Sequence, residues 1–121
     1  IGDYAILSGL VAVHQFIHIG DHSMVSGGSL VRKDVPPFCK AGKEPLSYIG
    51  INSIGLRRRG FATEKIREIQ DIFRILYQKN YNTTQALEKI EAEMEATKER
   101  DQIRLFIKNS QRGIMKGYTG S

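Results

Sequence analysis

The sequence predicts a mainly β then α chain: a three-sided parallel β coil built from hexapeptides, followed by a small helical C-terminal subdomain. Three observations predict it. Aliphatic residues recur at every sixth position from Ile1 to Val31. Beyond Thr63 the apolar period changes to about 3.6. Between the two patterns lies a stretch opened by Pro36-Pro37 that follows neither.

Residues 1–36 divide into IGDYAI, LSGLVA, VHQFIH, IGDHSM, VSGGSL and VRKDVP. The first positions are Ile1, Leu7, Val13, Ile19, Val25 and Val31, all aliphatic; the fifth are Ala5, Val11, Ile17, Ser23, Ser29 and Val35, mostly small. A period of six suits neither a helix nor a plain strand, which repeat at about 3.6 and 2 residues. It suits a triangular prism in which each hexapeptide forms one flat side with its aliphatic residue inward. Three sides make one coil, so this stretch supplies two coils, stacked as parallel strands about 4.8 Å apart. A repeat contacts only its neighbours. Two coils alone bury little, and residues 1–6 would present an unpaired edge. The chain also opens in mid-pattern, without an initiator Met. Further coils are therefore expected before Ile1, and residues 1–37 read as the last two coils.

Pro36-Pro37 is expected to end the prism, because proline cannot donate to the next rung. Phe38–Gly50 reads as irregular, with Gly42, Pro45 and Gly50, and Asn52–Gly60 as a loop entering a helix. Residues 38–60 are thus a connecting loop. Ile66, Ile69, Ile72, Phe73, Leu76 and Tyr77 mark an amphipathic helix over 63–79 with Thr63 as N-cap. A second helix, about 83–97, carries Ala86, Leu87, Ile90 and Met94, with Thr83 or Thr84 as cap. A third, about 99–111, carries Ile103, Phe106 and Ile107, with Gly113 as a stop. Residues 61–115 form the helical subdomain and 116–121 a tail. The acidic run Glu88–Glu95 reads as a solvated helix face.

At 40% hydrophobic and 26% charged residues the composition is that of a soluble globular chain. No apolar run approaches the roughly 20 residues of a membrane span, and the start has no secretory pattern. Cys39 is the single cysteine, so no internal disulfide forms, which fits a reducing cytoplasm. It reads as a half-buried packing residue. The net charge of +5 favours anionic ligands or an acidic partner, with Arg57-Arg58-Arg59 the densest cluster. No aromatics interleave with the basic residues, which argues against nucleic acid as a partner.

Four motifs occur in a distinctive order: AVHQF (Ala12–Phe16), DVPPF (Asp34–Phe38), GIN (Gly50–Asn52) and GLRRRGF (Gly55–Phe61). With the closing SQRGI (Ser110–Ile114) they resemble the UDP-N-acetylglucosamine O-acyltransferases over nearly the whole chain. The resemblance implies a left-handed β-helix, an exception to the right-handed crossover rule. It implies a cytoplasmic homotrimer with sites in the clefts between prisms, no cofactor, an acyl carrier protein bearing a (3R)-hydroxyacyl chain as donor, and UDP-N-acetylglucosamine as acceptor. The reaction is the first step of lipid A biosynthesis. A histidine general base and a backbone N–H in an oxyanion hole carry the chemistry. In the family both precede AVHQF, so no catalytic residue is expected in this chain, and the chain alone is expected to be inactive.

The same resemblance assigns substrate-binding roles to His14, Gln15, Asn52, Arg58 and Arg59. His14 and Gln15 hold the second and third positions of a hexapeptide, which point out of the prism. An asparagine amide can pair with both a donor and an acceptor on a uracil edge. An arginine fork matches a phosphate bidentately, so a doubled arginine suits a diphosphate. Arg57 is expected to face solvent or the acidic carrier protein. Ile54 stands where some of the family carry an acidic residue, which weighs against a side-chain contact to the nucleotide there. Gly27 is expected to leave room for the acyl chain; a prism corner would equally call for glycine. His14, His18 and His22 share a four-residue spacing, but on a prism they occupy different hexapeptide positions, and no metal site is expected. Two other readings remain: a non-catalytic trimerisation and nucleotide-binding module, or a related hexapeptide sugar N-acyl- or acetyltransferase.

Overall fold

A computed structural model describes residues 1–9, 11–13, 15, 17–43, 46–77, 81–110 and 113–117. Four two-residue strands come first: β1 (Ile6–Leu7), β2 (Ala12–Val13), β3 (Met24–Val25) and β4 (Leu30–Val31). β1 runs parallel to β3 with Ile6 opposite Met24, and β2 parallel to β4 with Ala12 opposite Leu30. Both offsets equal three hexapeptides, so each circuit returns the chain to the same wall. A third wall is built by an Ile19–Val35 bridge and by Gly2 N–H donating to Ile19 O at 2.7 Å. The inward first positions of the second circuit, Ile19, Val25 and Val31, are buried. Those of the first circuit are less so: Ile1 is 78% and Val13 36% exposed. A circuit buries its inner residues against the rungs on both sides, and among the described residues the first is stacked only against the second.

The period does not run unchanged to Pro36. Ile19 bridges Val35, not Pro37, so the second circuit is two residues shorter than the first. The shortening falls at the turn after Val31, where the buried Asp34 carboxylate accepts the His18 N–H at 2.8 Å and the Ser110 hydroxyl. Nor do the prolines end the sheet. β5 (Cys39–Gly42) adds a third parallel rung beside β3, with Val25 opposite Ala41. Pro36 and Pro37 sit at the corner just before it, where a missing N–H costs no rung hydrogen bond. Phe38 N–H donates to Asp21 O there.

The segment expected as a connecting loop thus carries two strands. β6 (Ser47–Ile51) turns back antiparallel on β5, with a register shift between Lys40 and Ala41. β7 (Lys116–Gly117) then joins β6 in parallel, giving the order β1-β3-β5-β6-β7 beside the two-stranded β2-β4. Cys39, expected half-buried, is fully buried, and its thiol donates to Pro36 O at 3.0 Å.

Among the described residues four helices follow where three were expected. α1 (Ser53–Arg58) replaces part of the loop; α2 (Thr63–Leu76), α3 (Thr83–Glu93) and α4 (Lys98–Lys108) are shorter than their sequence ranges. The cap residues also shift. Ala62, not Thr63, is the N-cap of α2, and it makes no side-chain hydrogen bond. Asn82, not Thr83 or Thr84, caps α3 in a reciprocal capping box with Gln85, satisfying two N–H groups together. α2 buries Ile66, Ile69, Ile72, Phe73 and Leu76, and packs on α1, α3, α4 and β6. Ala86 and Ile90 of α3 and Ile103 and Ile107 of α4 join one core that continues into Val25, Val31 and Val35 of the prism. The acidic run is solvated: Glu88, Glu91 and Glu93 of α3, and Glu95 just beyond it, are exposed. Among the described residues no helix is long and apolar enough to cross a membrane.

Candidate functional site

One corner of the coil carries a cluster of rings and a guanidinium. The turns between the third wall and the β1-β3-β5 wall fall at residues 3–4, 21–22 and 37–38. The second residue of each is left-handed: Tyr4 has φ 58°, His22 59° and Phe38 70°. For residues other than glycine this conformation costs on the order of 1–2 kcal/mol. The three rings stack down the corner, one per rung. Tyr4 and His22 lie 5.1 Å apart and nearly parallel; His22 and Phe38 lie 5.7 Å apart and nearly parallel. Phe61 packs edge-on against both His22 and Phe38.

α1 carries Arg57 and Arg58 in its last turn and delivers Arg59, the residue after it, to this corner. Asn52 caps the helix by accepting from Gly55 N–H, and its Nδ2 donates to His22 O at 3.0 Å. Gly55 closes the arrangement: a Cβ there would lie 2.6 Å from Asn52 Nδ2 and 3.1 Å from Arg59 Nη1. Arg59, the residue after α1, places its guanidinium over the Tyr4 ring at 5.2 Å and Nη1 3.3 Å from His22 Nδ1. An arginine nitrogen can only donate, so His22 Nδ1 is the acceptor and the imidazole is neutral, with its proton on Nε2. Burial first, and Arg59 second, hold the His22 pKa below its ordinary 6.5, against opposing pulls from Asp21 and Asp3. Arg57 and Arg58 are exposed, and among the described residues none of the three arginines pairs with a carboxylate. Such a cluster is electrostatically open to an anion.

The sequence candidates separate by corner. Asn52 and Arg59 meet at the corner just described, and Arg58, the last residue of α1, is exposed beside Arg59 in the chain. Asn52 is buried with both ends of its amide engaged, so it builds the site from beneath rather than presenting a free amide. Gln15 is exposed on the turn between the β2-β4 wall and the third wall; its expected partner His14 lies outside the described residues. Gly27 is on the remaining corner, where a Cβ would meet Gly9 O at 3.0 Å, so close stacking of rungs already requires a small residue. Its neighbour Gly28, at φ 77°, makes the turn itself. Within one chain, then, the three groups do not converge. His18 and His22 stand on different parts of the coil, and no three His, Cys, Asp or Glu among the described residues come together to hold a metal. A groove of about 510 Å³ between the third wall and α4, lined by His18, Asp21, Gln102 and Phe106, contains none of the candidates.

Sequence reasoning missed Tyr4, Gly55 and Phe61, and gave His22 no role beyond a dismissed metal. A signal existed: Tyr4 and His22 share the fourth hexapeptide position.

Residues 34–115 match the family model described as UDP N-acetylglucosamine O-acyltransferase, domain 2. The acyl-[acyl-carrier-protein]–UDP-N-acetylglucosamine O-acyltransferase of Myxococcus xanthus is 37% identical over 114 residues, covering 94% of this chain and 44% of that protein. Among solved structures, the UDP-N-acetylglucosamine acyltransferase of Bacteroides fragilis matches with a TM-score of 0.92 and 50% identity, over 95% of this chain and 45% of that one. The Francisella novicida UDP-N-acetylglucosamine acyltransferase matches with a TM-score of 0.89 and 36% identity, over 97% and 43%. The chain therefore spans a little under half the length of these relatives. With the coil, the arginine-bearing corner and the matched residues 34–115 together, the chain belongs to the UDP-N-acetylglucosamine O-acyltransferase family.

Proposed function

We propose that this chain is the nucleotide-holding end of an enzyme that transfers a (3R)-hydroxyacyl chain from acyl carrier protein to the 3-hydroxyl of UDP-N-acetylglucosamine, the first step of lipid A biosynthesis in the cytoplasm. The observation that carries the reading is the arginine triplet: three guanidinium groups without carboxylate partners among the described residues, one of them held in place by a ring platform. Arg59 and Arg58 meet the diphosphate, and Asn52 supports them from beneath. Arg57, exposed beside them, faces the acidic carrier protein.

The coil is the end of a left-handed β-helix, and three copies associate so that different corners of neighbouring prisms face one cleft. This arrangement brings His14 and Gln15 of one copy towards the arginine corner of the next, which a single chain does not do. Gly27 lines the path of the acyl chain. The general base lies outside these 121 residues. It takes the proton of the sugar 3-hydroxyl as that oxygen attacks the thioester carbonyl; a backbone N–H holds the oxyanion, and the carrier thiolate leaves.

The test is steady-state kinetics of the intact protein with a hydroxyacyl carrier protein as donor. Arg59→Ala is expected to raise the KM for UDP-N-acetylglucosamine roughly 10–100-fold, the loss of a charge-assisted contact. Unchanged KM removes Arg59 from the site, and no acyl transfer by the intact protein removes the reaction. Turnover by the isolated 121-residue chain contradicts the placement of the base.

A further inference from the structure

We infer that His22 is a positioning residue for the nucleotide site: its Nδ1 accepts from Arg59 and, with the Tyr4 ring, sets the guanidinium in the orientation that receives a diphosphate. This rests on the nucleotide reading proposed above. Arg59 Nη1 lies 3.3 Å from His22 Nδ1, and its guanidinium carbon 5.2 Å from the Tyr4 centroid. His22 is itself fixed from four directions. Tyr4 stacks above it, Phe38 below, Phe61 packs edge-on, and its carbonyl accepts from Asn52 Nδ2.

A free arginine side chain carries rotamer entropy that a ligand must otherwise remove. Here one N–H is taken by His22 and one face by Tyr4, while the other donors have no partner among the described residues. The guanidinium is therefore ordered before the ligand arrives, which favours binding by lowering the ordering cost. A ring at His22 with no acceptor would keep the stack and lose the orientation.

Three substitutions in the intact protein separate these roles, with UDP-N-acetylglucosamine, UDP and uridine titrated by NMR and kinetics run in parallel. His22→Phe preserves the ring stack and removes the acceptor. His22→Asn restores an acceptor near the Nδ1 position and tolerates the left-handed backbone. Arg59→Ala removes the positioned group. Expected for His22→Phe is about a tenfold weaker affinity for UDP and the sugar nucleotide, with KM raised, kcat little changed and uridine unaffected, since uridine has no diphosphate. His22→Asn should recover to within about threefold, and adding His22→Phe to Arg59→Ala should cost nothing further, because the two act as one unit.

Normal UDP affinity in His22→Phe alongside weakened Arg59→Ala overturns the role of His22 and leaves the nucleotide reading standing. Normal affinity in both variants overturns the nucleotide reading too. Equal weakening of His22→Asn and His22→Phe, or of uridine and UDP, assigns His22 to packing and overturns the inference. If His22→Phe shows no cooperative melt, Tyr4→Leu decides. Tyr4 is 65% exposed, so its loss spares the core; UDP affinity should fall a few-fold with uridine unchanged, and unchanged UDP affinity refutes the platform.

Discussion

Replacing Gly55 by alanine sets two effects of opposite sign against each other. Gly55 lies inside α1, in ordinary helical backbone, where alanine is favoured over glycine by about 1 kcal/mol. Propensity alone therefore predicts a more stable protein. The surroundings predict the reverse. The new methyl would fall 2.6 Å from Asn52 Nδ2 and 3.1 Å from Arg59 Nη1. Asn52 cannot yield cheaply, because Nδ2 is committed to His22 O at 3.0 Å and Oδ1 to the Gly55 N–H at 3.4 Å. Displacing the amide loses the helix cap, worth about 1 kcal/mol. It also strands the His22 carbonyl, at a cost of about 1–3 kcal/mol. The losses exceed the gain, for a net destabilisation of about 1–3 kcal/mol. Urea unfolding of Gly55→Ala against the parent protein measures it, and the same displacement should weaken UDP binding, because Arg59 is moved with Asn52. A variant more stable than the parent with unaltered UDP affinity would show that the corner is not packed as described.

Two other perturbations address the core and the corner separately. Ile72→Ala removes a fully buried side chain where α2 packs on its neighbours; it should lower stability by about 2–5 kcal/mol in urea unfolding and leave UDP affinity per folded molecule intact. The second is pH. His22 is neutral in the folded protein, its pKa lowered from 6.5 by burial and by Arg59, with Asp21 and Asp3 opposing and Tyr4, Phe38 and Phe61 uncharged around it. Between the lowered value and 6.5 the unfolded chain binds more protons, so stability rises with pH across that window. The contribution of His22 is fully present above 6.5 and is lost as pH falls through the lowered value. Urea midpoints from pH 7.5 to 5 should fall more steeply for the parent than for His22→Asn, and parallel curves contradict the assignment.

The hexapeptide wall was legible because an inward aliphatic residue every sixth position is a purely local signal. The three amphipathic helices were legible for the same reason, at their own period. What failed was non-local. CKAG and SYIGI lack a strand-like alternation, and Cys39–Gly42 becomes a strand only because β3 offers it a free edge. Val35 fits the fifth position of a sixth hexapeptide in sequence, yet bridges Ile19 as a first position, since Asp34 and Ser110 tighten the preceding turn. α1 is six residues long and includes a glycine, too short to show a period; its one sign was Asn52, an N-cap type at the right place. At the site, the basic triplet was visible by composition alone. Its partner was not: Arg59 and His22 are 37 residues apart, and no motif spacing joins them.

On the proposed nucleotide reading, structure and binding fall on the same residues of the corner. A coil of three flat sides must turn sharply once per side, and at one corner each turn is made by a bulky residue in the left-handed region. That strain, on the order of 1–2 kcal/mol at each of three positions, needs an offset from packing. Stacked rings supply about 0.5–1.5 kcal/mol per pair beyond their buried area, and Tyr4, His22, Phe38 and Phe61 form four such pairs. The ladder that makes the corner tolerable is thereby rigid; its first ring, Tyr4, offers a flat π face and its second, His22, a lone pair at the edge. An arginine delivered by α1 needs both. On that reading the positions that orient the ligand are the ones whose rings already pack the corner, and substitutions there should alter binding and stability together unless they preserve one role while removing the other.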